Sequence, residues 1–143
     1  MQNNFNYNEV PKGFIHCLNA QCTRSTGCLR FLAANCAGIE TPSFHIVNPA
    51  HITNWDECRF FYPDKLVRFA IGITDLFNNL PHAKAVKIKA IIYKQFGRNT
   101  FYRIQSKQRL INPEEQNFIR KVFIDEGITE EPIFDKYIDK YDW

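Results

Sequence analysis

The chain has 143 residues, of which 45% are hydrophobic and 23% charged, and its formal net charge is +3. This composition allows a hydrophobic core and excludes general disorder, while the longest apolar stretches fall far short of the roughly 20 residues that cross a bilayer. The first residues also lack the basic and apolar segments of an export signal, so we expect a cytoplasmic protein with no membrane partner.

The first part of the chain, residues 1–62, is rich in Asn, Cys, Pro and Thr and has poor hydrophobic periodicity. This pattern predicts loops and turns, one short helix over residues 28–35 and at most one short strand between Pro42 and Pro49. We expect this irregular region to pack on a helical domain formed by residues 63–143, so that the whole chain makes one compact unit.

All five cysteines lie in this first region. In a reducing cytoplasm we expect thiols or metal ligands rather than disulfides. Zn²⁺ prefers thiolate and imidazole ligands, and a structural site needs four of them in a tetrahedron. The candidate zinc ligands are Cys17, Cys22, Cys28 and Cys58. Their spacings differ from the CxxC pattern, and the alternative is that they pack as small hydrophobes, as we expect of Cys36.

From residue 64 onward the hydrophobic spacing predicts successive helices. Apolar residues three and four positions apart predict a helix over residues 64–78. A second helix is predicted after Pro81, and Gly97 should end it because glycine tolerates the left-handed conformation found there. Asn99 is the predicted N-cap of a short third helix over residues 100–107.

Two further helix starts follow in the last third of the chain. Asn112 precedes a proline and two glutamates, which is a strong helix start, and Gly127 should close this fourth helix. Pro132 follows two glutamates in the same manner and predicts a last helix. The predicted fold is therefore mainly α, with an irregular cysteine-containing region packed on a C-terminal helical bundle.

Charge is strongly segregated along the chain. Residues 1–82 have no net charge, residues 83–124 carry +8, and residues 125–143 carry −5. A folded segment of +8, called the basic block below, attracts phosphate chains or an acidic partner. Duplex DNA is the first candidate partner and an acidic protein the second. The alternative is that these cations are solvated helix faces neutralised by the acidic C-terminal segment.

Residues 83–126 resemble the helix-turn-helix unit of phage-repressor-like domains, through the words Phe101-Tyr-Arg-Ile104, Lys107-Gln-Arg109-Leu110 and Pro113-Glu-Glu115. The resemblance implies that the short third helix is a recognition helix that enters the major groove. The residues that it places against DNA are Arg98, Asn99, Thr100, Arg103, Ser106 and Lys107. Arginine and asparagine suit base edges, and the other three residue types suit phosphates.

Over its full length the chain also resembles a family of proteins of about this size from anaerobic gut bacteria, a domain of unknown function. The matching words are Phe5-Asn-Tyr-Asn8, His16-Cys17, Cys22, Cys28-Leu-Arg30, Ile46-Val-Asn-Pro49, Phe96-Gly-Arg-Asn99 and Tyr141-Asp-Trp143. This resemblance implies a single unit that spans the chain, and it supplies no catalytic residues.

Two functional hypotheses follow. The leading one is a small DNA-binding or regulatory protein with a structural zinc site, and the alternative is a protein-interaction module that uses the basic helical face without catalysis. Paired carboxylates, phosphate-cradling glycines and a nucleophile with its base do not stand out in the sequence. We therefore predict no catalytic residues and do not expect an enzyme, and the oligomeric state stays open.

Overall fold

The computed structural model describes residues 5–143, and it corrects the expected fold class. Within those residues it has four α-helices and two small two-stranded sheets. The helices are α1 (Leu29–Cys36), α2 (His82–Phe96), α3 (Arg98–Gln105) and α4 (Pro113–Asp125), and the strands are β1 (Ile15–His16), β2 (His45–Ile46), β3 (Leu66–Ile71) and β4 (Lys136–Tyr141). The prediction of a mainly α protein is wrong, because helices and strands are mixed.

Strand β3 lies in the first half of the segment where the first of the successive helices was predicted, so that prediction is wrong. The spacing of Leu66, Phe69 and Ala70 suits a helix, but this backbone pairs with β4 and with a distant residue instead. Ala70 exchanges both of its backbone hydrogen bonds with Ile111, each at 2.9 Å. Gly72 follows the strand with φ of 75°, a conformation that favours glycine. Long-range pairing therefore overrides the local pattern.

Strand β4 likewise replaces the helix predicted after Pro132, and that prediction is also wrong. Phe134 is buried just before the strand begins, whereas Ile133 and Tyr137 are 55% and 39% exposed, so only Phe134 of these three reaches the core. Within the β3–β4 sheet the Arg68 guanidinium lies 4.6 Å from the centroid of the Tyr137 ring. Such cross-strand contacts stabilise an extended pair that the local sequence does not specify.

The helices predicted after Pro81 and Asn112 are confirmed. Gly97 closes α2 as expected, and its backbone N–H donates to the last turn of the helix. Helix α4 begins with a capping box, in which the Asn112 side chain accepts the Glu115 N–H at 2.8 Å and the Glu115 carboxylate accepts the Asn112 N–H at 3.1 Å. These starts are local, which is why the sequence identifies them.

Helix α3 is also present, but it begins two residues earlier than predicted. Arg98 is its first residue and Gly97 is its N-cap, so the expectation that Asn99 is the cap is wrong. Gly97 has φ of 77° and ψ of 162°, a combination that is essentially restricted to glycine. A single residue therefore joins α2 to α3.

Contacts divide the chain into two compact units, which we call the first unit (residues 5–65 with Tyr141–Trp143) and the second unit (Leu66–Lys140). In the first unit β1 and β2 pair in parallel, with Ile15 opposite His45. The core of the second unit is formed by Ala70, Ile73, Leu76, Ile88, Ile92, Phe101, Ile104, Ile111, Ile119, Val122, Phe123, Ile128 and Phe134. In the described part of the chain, the helices are too short or too polar to cross a membrane.

Candidate functional site

Four of the five cysteines line one small cavity in the first unit. These are the four residues predicted as metal ligands, Cys17, Cys22, Cys28 and Cys58. The cavity measures about 20 Å³, which is enough for one water-sized atom and too small for an organic ligand. Cys36 ends α1 and is exposed, so the expectation that it packs in the interior is wrong.

Long-range backbone hydrogen bonds hold the segments that carry Cys17 and Cys28. Cys17 follows β1, and its N–H donates to the Arg30 carbonyl at 3.1 Å. Cys28 is the N-cap of α1, and the next residue, Leu29, donates its N–H to the Tyr62 carbonyl at 2.7 Å. Segments that are distant along the sequence are thereby held around the start of α1.

The loop that carries Cys22 is tied to the turn that carries Cys58. The Thr23 hydroxyl donates to the Asp56 carboxylate at 2.6 Å. The Arg24 guanidinium donates to the Asp56 carbonyl at 3.1 Å. A pair of hydrogen bonds to one residue thus holds the two remaining cysteine segments together.

Apolar side chains and one arginine complete the cavity wall. The apolar lining residues are Phe31, Val47, Ile52, Trp55, Phe60 and Phe61. The Arg30 guanidinium donates to the carbonyls of Phe60 and Ile15, each at 2.8 Å, and so braces this wall from α1. The thiols therefore lie among rings and aliphatic groups, next to one fixed positive charge.

The Cys17 thiol lies within electrostatic reach of the other three. Burial raises the pKa of the Cys17 thiol, while the backbone N–H of Asn19, which hydrogen-bonds to the Cys17 sulfur, lowers it. The neighbouring thiols of Cys28, Cys22 and Cys58 raise this pKa further, because a second negative charge nearby is unfavourable. A cation placed between the sulfurs would reverse this repulsion.

The histidines near these cysteines are engaged elsewhere. His16 is buried, and its two ring nitrogens lie 3.0 Å from the Tyr7 hydroxyl and 2.9 Å from the Phe14 carbonyl. His51 is exposed and hydrogen-bonds with Arg59. Among residues 5–143, no three or more His, Cys, Asp or Glu side chains, as they stand, form a group that could hold a metal ion.

The predicted DNA-contacting residues lie on and just after α3 in the second unit. Phe101 and Ile104 bury one side of this helix, each with 1% of its surface exposed. Of the predicted set, Arg98, Asn99, Arg103, Ser106 and Lys107 are exposed, and Thr100 is half-buried at the edge. Helix α3 therefore presents a polar, positively charged face opposite its buried side.

Acidic residues neutralise part of the basic block. The ion pairs are Lys87–Glu126 at 2.9 Å, Lys107–Asp135 at 3.4 Å, Arg109–Glu115 at 2.8 Å and Arg120–Glu131 at 2.6 Å. Three of these four acids belong to residues 125–143. The cations of the block that make no ion pair within the described part of the chain are Lys84, Lys89, Lys94, Arg98, Arg103 and Lys121.

Several residues around these sites were not predicted from the sequence. Tyr102 is 52% exposed on the outward face of α3. It lies one helical turn after the exposed Arg98, so helical periodicity could have predicted its position on this face. Asp56 and Arg30 brace the cysteine cavity through contacts 15 to 33 residues apart in sequence. No local signal marks such contacts.

Comparison with known proteins places the whole chain in one family. No curated protein and no solved structure matches it. A family model described as a family of unknown function, DUF6078, matches residues 1–143. The chain therefore belongs to the DUF6078 family.

Proposed function

We propose that this protein binds duplex DNA through α3, acting as the recognition helix of a helix-turn-helix unit. The observation that carries the proposal is the division of α3 into a buried side and an exposed cationic side. The exposed residues that would contact DNA are Arg98, Asn99, Arg103 and Ser106. Arginine and asparagine can each form two parallel hydrogen bonds to a base edge, and serine can bind a phosphate oxygen.

The charges of Arg98 and Arg103 are available for such contacts. Within residues 5–143 neither guanidinium pairs with a carboxylate, whereas the Arg109 guanidinium is held by both oxygens of Glu115 at 2.8 and 3.1 Å. A surface cation without an acidic partner can bind phosphate without first breaking an ion pair, so its binding free energy is not reduced by that cost. The two arginines on α3 therefore favour a polyanionic partner.

The packing of α2 against α3 supports a rigid recognition unit. Tyr93 of α2 has its ring centroid 5.3 Å from that of Phe101 and 6.2 Å from that of Tyr102. Lys89 of α2 has its ammonium 6.0 Å from the Phe101 ring centroid, which brings a further unpaired cation beside α3. A fixed helix that needs no ordering on binding loses little entropy when it docks.

Fluorescence anisotropy with a labelled duplex of random sequence, over a series of salt concentrations, tests the proposal. We expect the wild-type affinity to fall linearly with salt on logarithmic axes. The double variant Arg98→Glu/Arg103→Glu should bind at least about 10-fold more weakly, with a salt slope reduced by about one for each lost phosphate contact.

The matched control is Lys12→Glu/Lys65→Glu, which makes the same charge change at two exposed residues outside the basic block. It should bind DNA nearly as well as the wild type. If the partner is an acidic protein instead, the wild type should not bind the duplex but should bind an acidic protein. Absence of DNA binding by the wild type, or equal losses in the control and the double variant, contradicts the proposal.

A further inference from the structure

We propose that Cys17, Cys22, Cys28 and Cys58 together bind one Zn²⁺ ion. This inference concerns the first unit and does not depend on DNA binding by α3. Four thiolates fill the tetrahedral coordination of zinc and leave no open position for water or substrate. The site would therefore be structural rather than catalytic.

The cavity has the size and the lining that a single ion requires. Its volume of about 20 Å³ admits one atom, and four of its thirteen lining residues are cysteines. The cysteines come from four separate segments, with four, five and twenty-nine residues between successive members. Since these segments contain little regular structure, one ion would add a cross-link to the hydrogen bonds that already join them.

Neighbouring groups suit a charged metal–thiolate cluster. Zn²⁺ with four thiolates has a net double negative charge. Arg30 lines the cavity, and the Arg24 guanidinium lies 3.5 Å from the ring centroid of Phe61, another lining residue. Cys28, at the N-cap of α1, lies where the helix dipole favours a negative charge.

Binding requires the four thiols to converge, because in the described residues their side chains do not form a metal-holding group. On binding, each thiol would release its proton to solvent and each side chain would rotate toward the ion. The backbone bonds of Cys17 and Cys28 and the tie between Thr23 and Asp56 already hold the segments around the cavity.

Metal content and cobalt substitution test the site in the full-length wild-type chain. Protein purified under reducing conditions without chelator, and reconstituted with Zn²⁺, should contain one zinc per chain by elemental analysis. After replacement by Co²⁺, its absorption spectrum should show the intense visible bands of tetrahedral cobalt and the sulfur-to-cobalt charge-transfer bands in the near ultraviolet. Both measurements use the wild-type chain, so they remain valid even if a cysteine variant does not fold.

Serine variants then identify the ligands. Cys17→Ser, Cys22→Ser, Cys28→Ser and Cys58→Ser should each lose the stoichiometric zinc or change the cobalt spectrum. Cys36→Ser is the matched control, because this thiol is exposed and outside the cavity, and it should retain one zinc per chain. The proposal is overturned if the wild-type protein contains well below one zinc per chain or holds iron instead. It is also overturned if the cobalt spectrum is that of the hydrated octahedral ion, or if Cys36→Ser loses the zinc.

Discussion

The Asp135 carboxylate accepts the backbone N–H of Asp75 at 2.9 Å. Its second oxygen accepts the Thr74 N–H at 3.2 Å and lies 3.4 Å from the Lys107 ammonium. Burial alone raises the pKa of Asp135, but these hydrogen bonds and the ammonium outweigh burial, and the pKa lies below its ordinary value. One carboxylate therefore connects the turn after β3, the end of α3 and the start of β4.

Asp135→Asn should lower the free energy of unfolding of the second unit by about 1 to 3 kcal/mol. The amide retains one acceptor oxygen, so one backbone N–H and the Lys107 ammonium lose their partner. Urea denaturation followed by circular dichroism measures the change. Asp139→Asn is the control, because Asp139 is exposed on β4, four residues after Asp135, and should change stability by less than about 0.5 kcal/mol. Equal stability of Asp135→Asn and wild type contradicts the assigned role.

The lowered pKa of Asp135 also predicts the direction of the acid dependence. Because the folded carboxylate has the lower pKa, the unfolded chain binds more protons as the pH falls below about 4, where free aspartate titrates. The stabilisation is complete above that pH and is lost as the pH approaches the lower folded value. Urea titrations between about pH 5 and about pH 3 should therefore show a steeper loss of stability in wild type than in Asp135→Asn. If wild type and Asp135→Asn lose stability equally over this pH range, Asp135 is not the cause of the acid dependence.

Gly72 should be intolerant of any side chain. Its φ is 75°, and a Cβ at this position would collide with the Asp135 carboxylate and lie 3.0 Å from Cε of Lys107. Gly127 in the same unit has φ of 77°, but a Cβ there meets only the flexible end of Lys84 at 3.1 Å. Gly127→Ala should therefore cost about 1 kcal/mol of strain. Gly72→Ala should cost at least about 1 kcal/mol more, as measured by urea denaturation, and equal costs would contradict the predicted collision.

The elements that the sequence predicts correctly carry their own start and stop signals. Asn112 and Gly97 act on residues within one helical turn, so α4 and the end of α2 can be located without knowing the fold. Strands β3 and β4 lack such signals. Their pairing joins Leu66–Ile71 to a segment some seventy residues later, and the spacing of their apolar residues fits a helix equally well.

In the cysteine cavity, too, the sequence predicts the residue types but not the long-range contacts that bring them together. The sequence supplies the residue type, and thiols in a loop-rich region suggest a metal. Whether Cys58 reaches Cys22 depends on the hydrogen bonds of Thr23 and Arg24 with Asp56, which lie 32 and 33 residues apart in sequence. For α3, helical periodicity alone correctly places Phe101 inside.

Lys107 should contribute less to DNA binding than Arg103, although the sequence assigned both to the interface. Lys107 follows the end of α3 with φ of 63°, and its ammonium lies 3.4 Å from the Asp135 carboxylate. To bind a phosphate it must first leave that carboxylate. Arg103 is exposed on α3 and, within the described residues, has no acidic partner to leave.

We therefore expect Arg103→Ala to weaken duplex binding about 10-fold and Lys107→Ala less than about 3-fold, in anisotropy titrations at one salt concentration. Asp135→Asn supplies the complementary test, because it removes the competing carboxylate and should strengthen binding through Lys107. The gain should disappear in Asp135→Asn/Lys107→Ala, since the released ammonium is then absent. A greater loss from Lys107→Ala than from Arg103→Ala would mean that the ion pair with Asp135 opens readily and that the DNA-binding surface extends beyond α3.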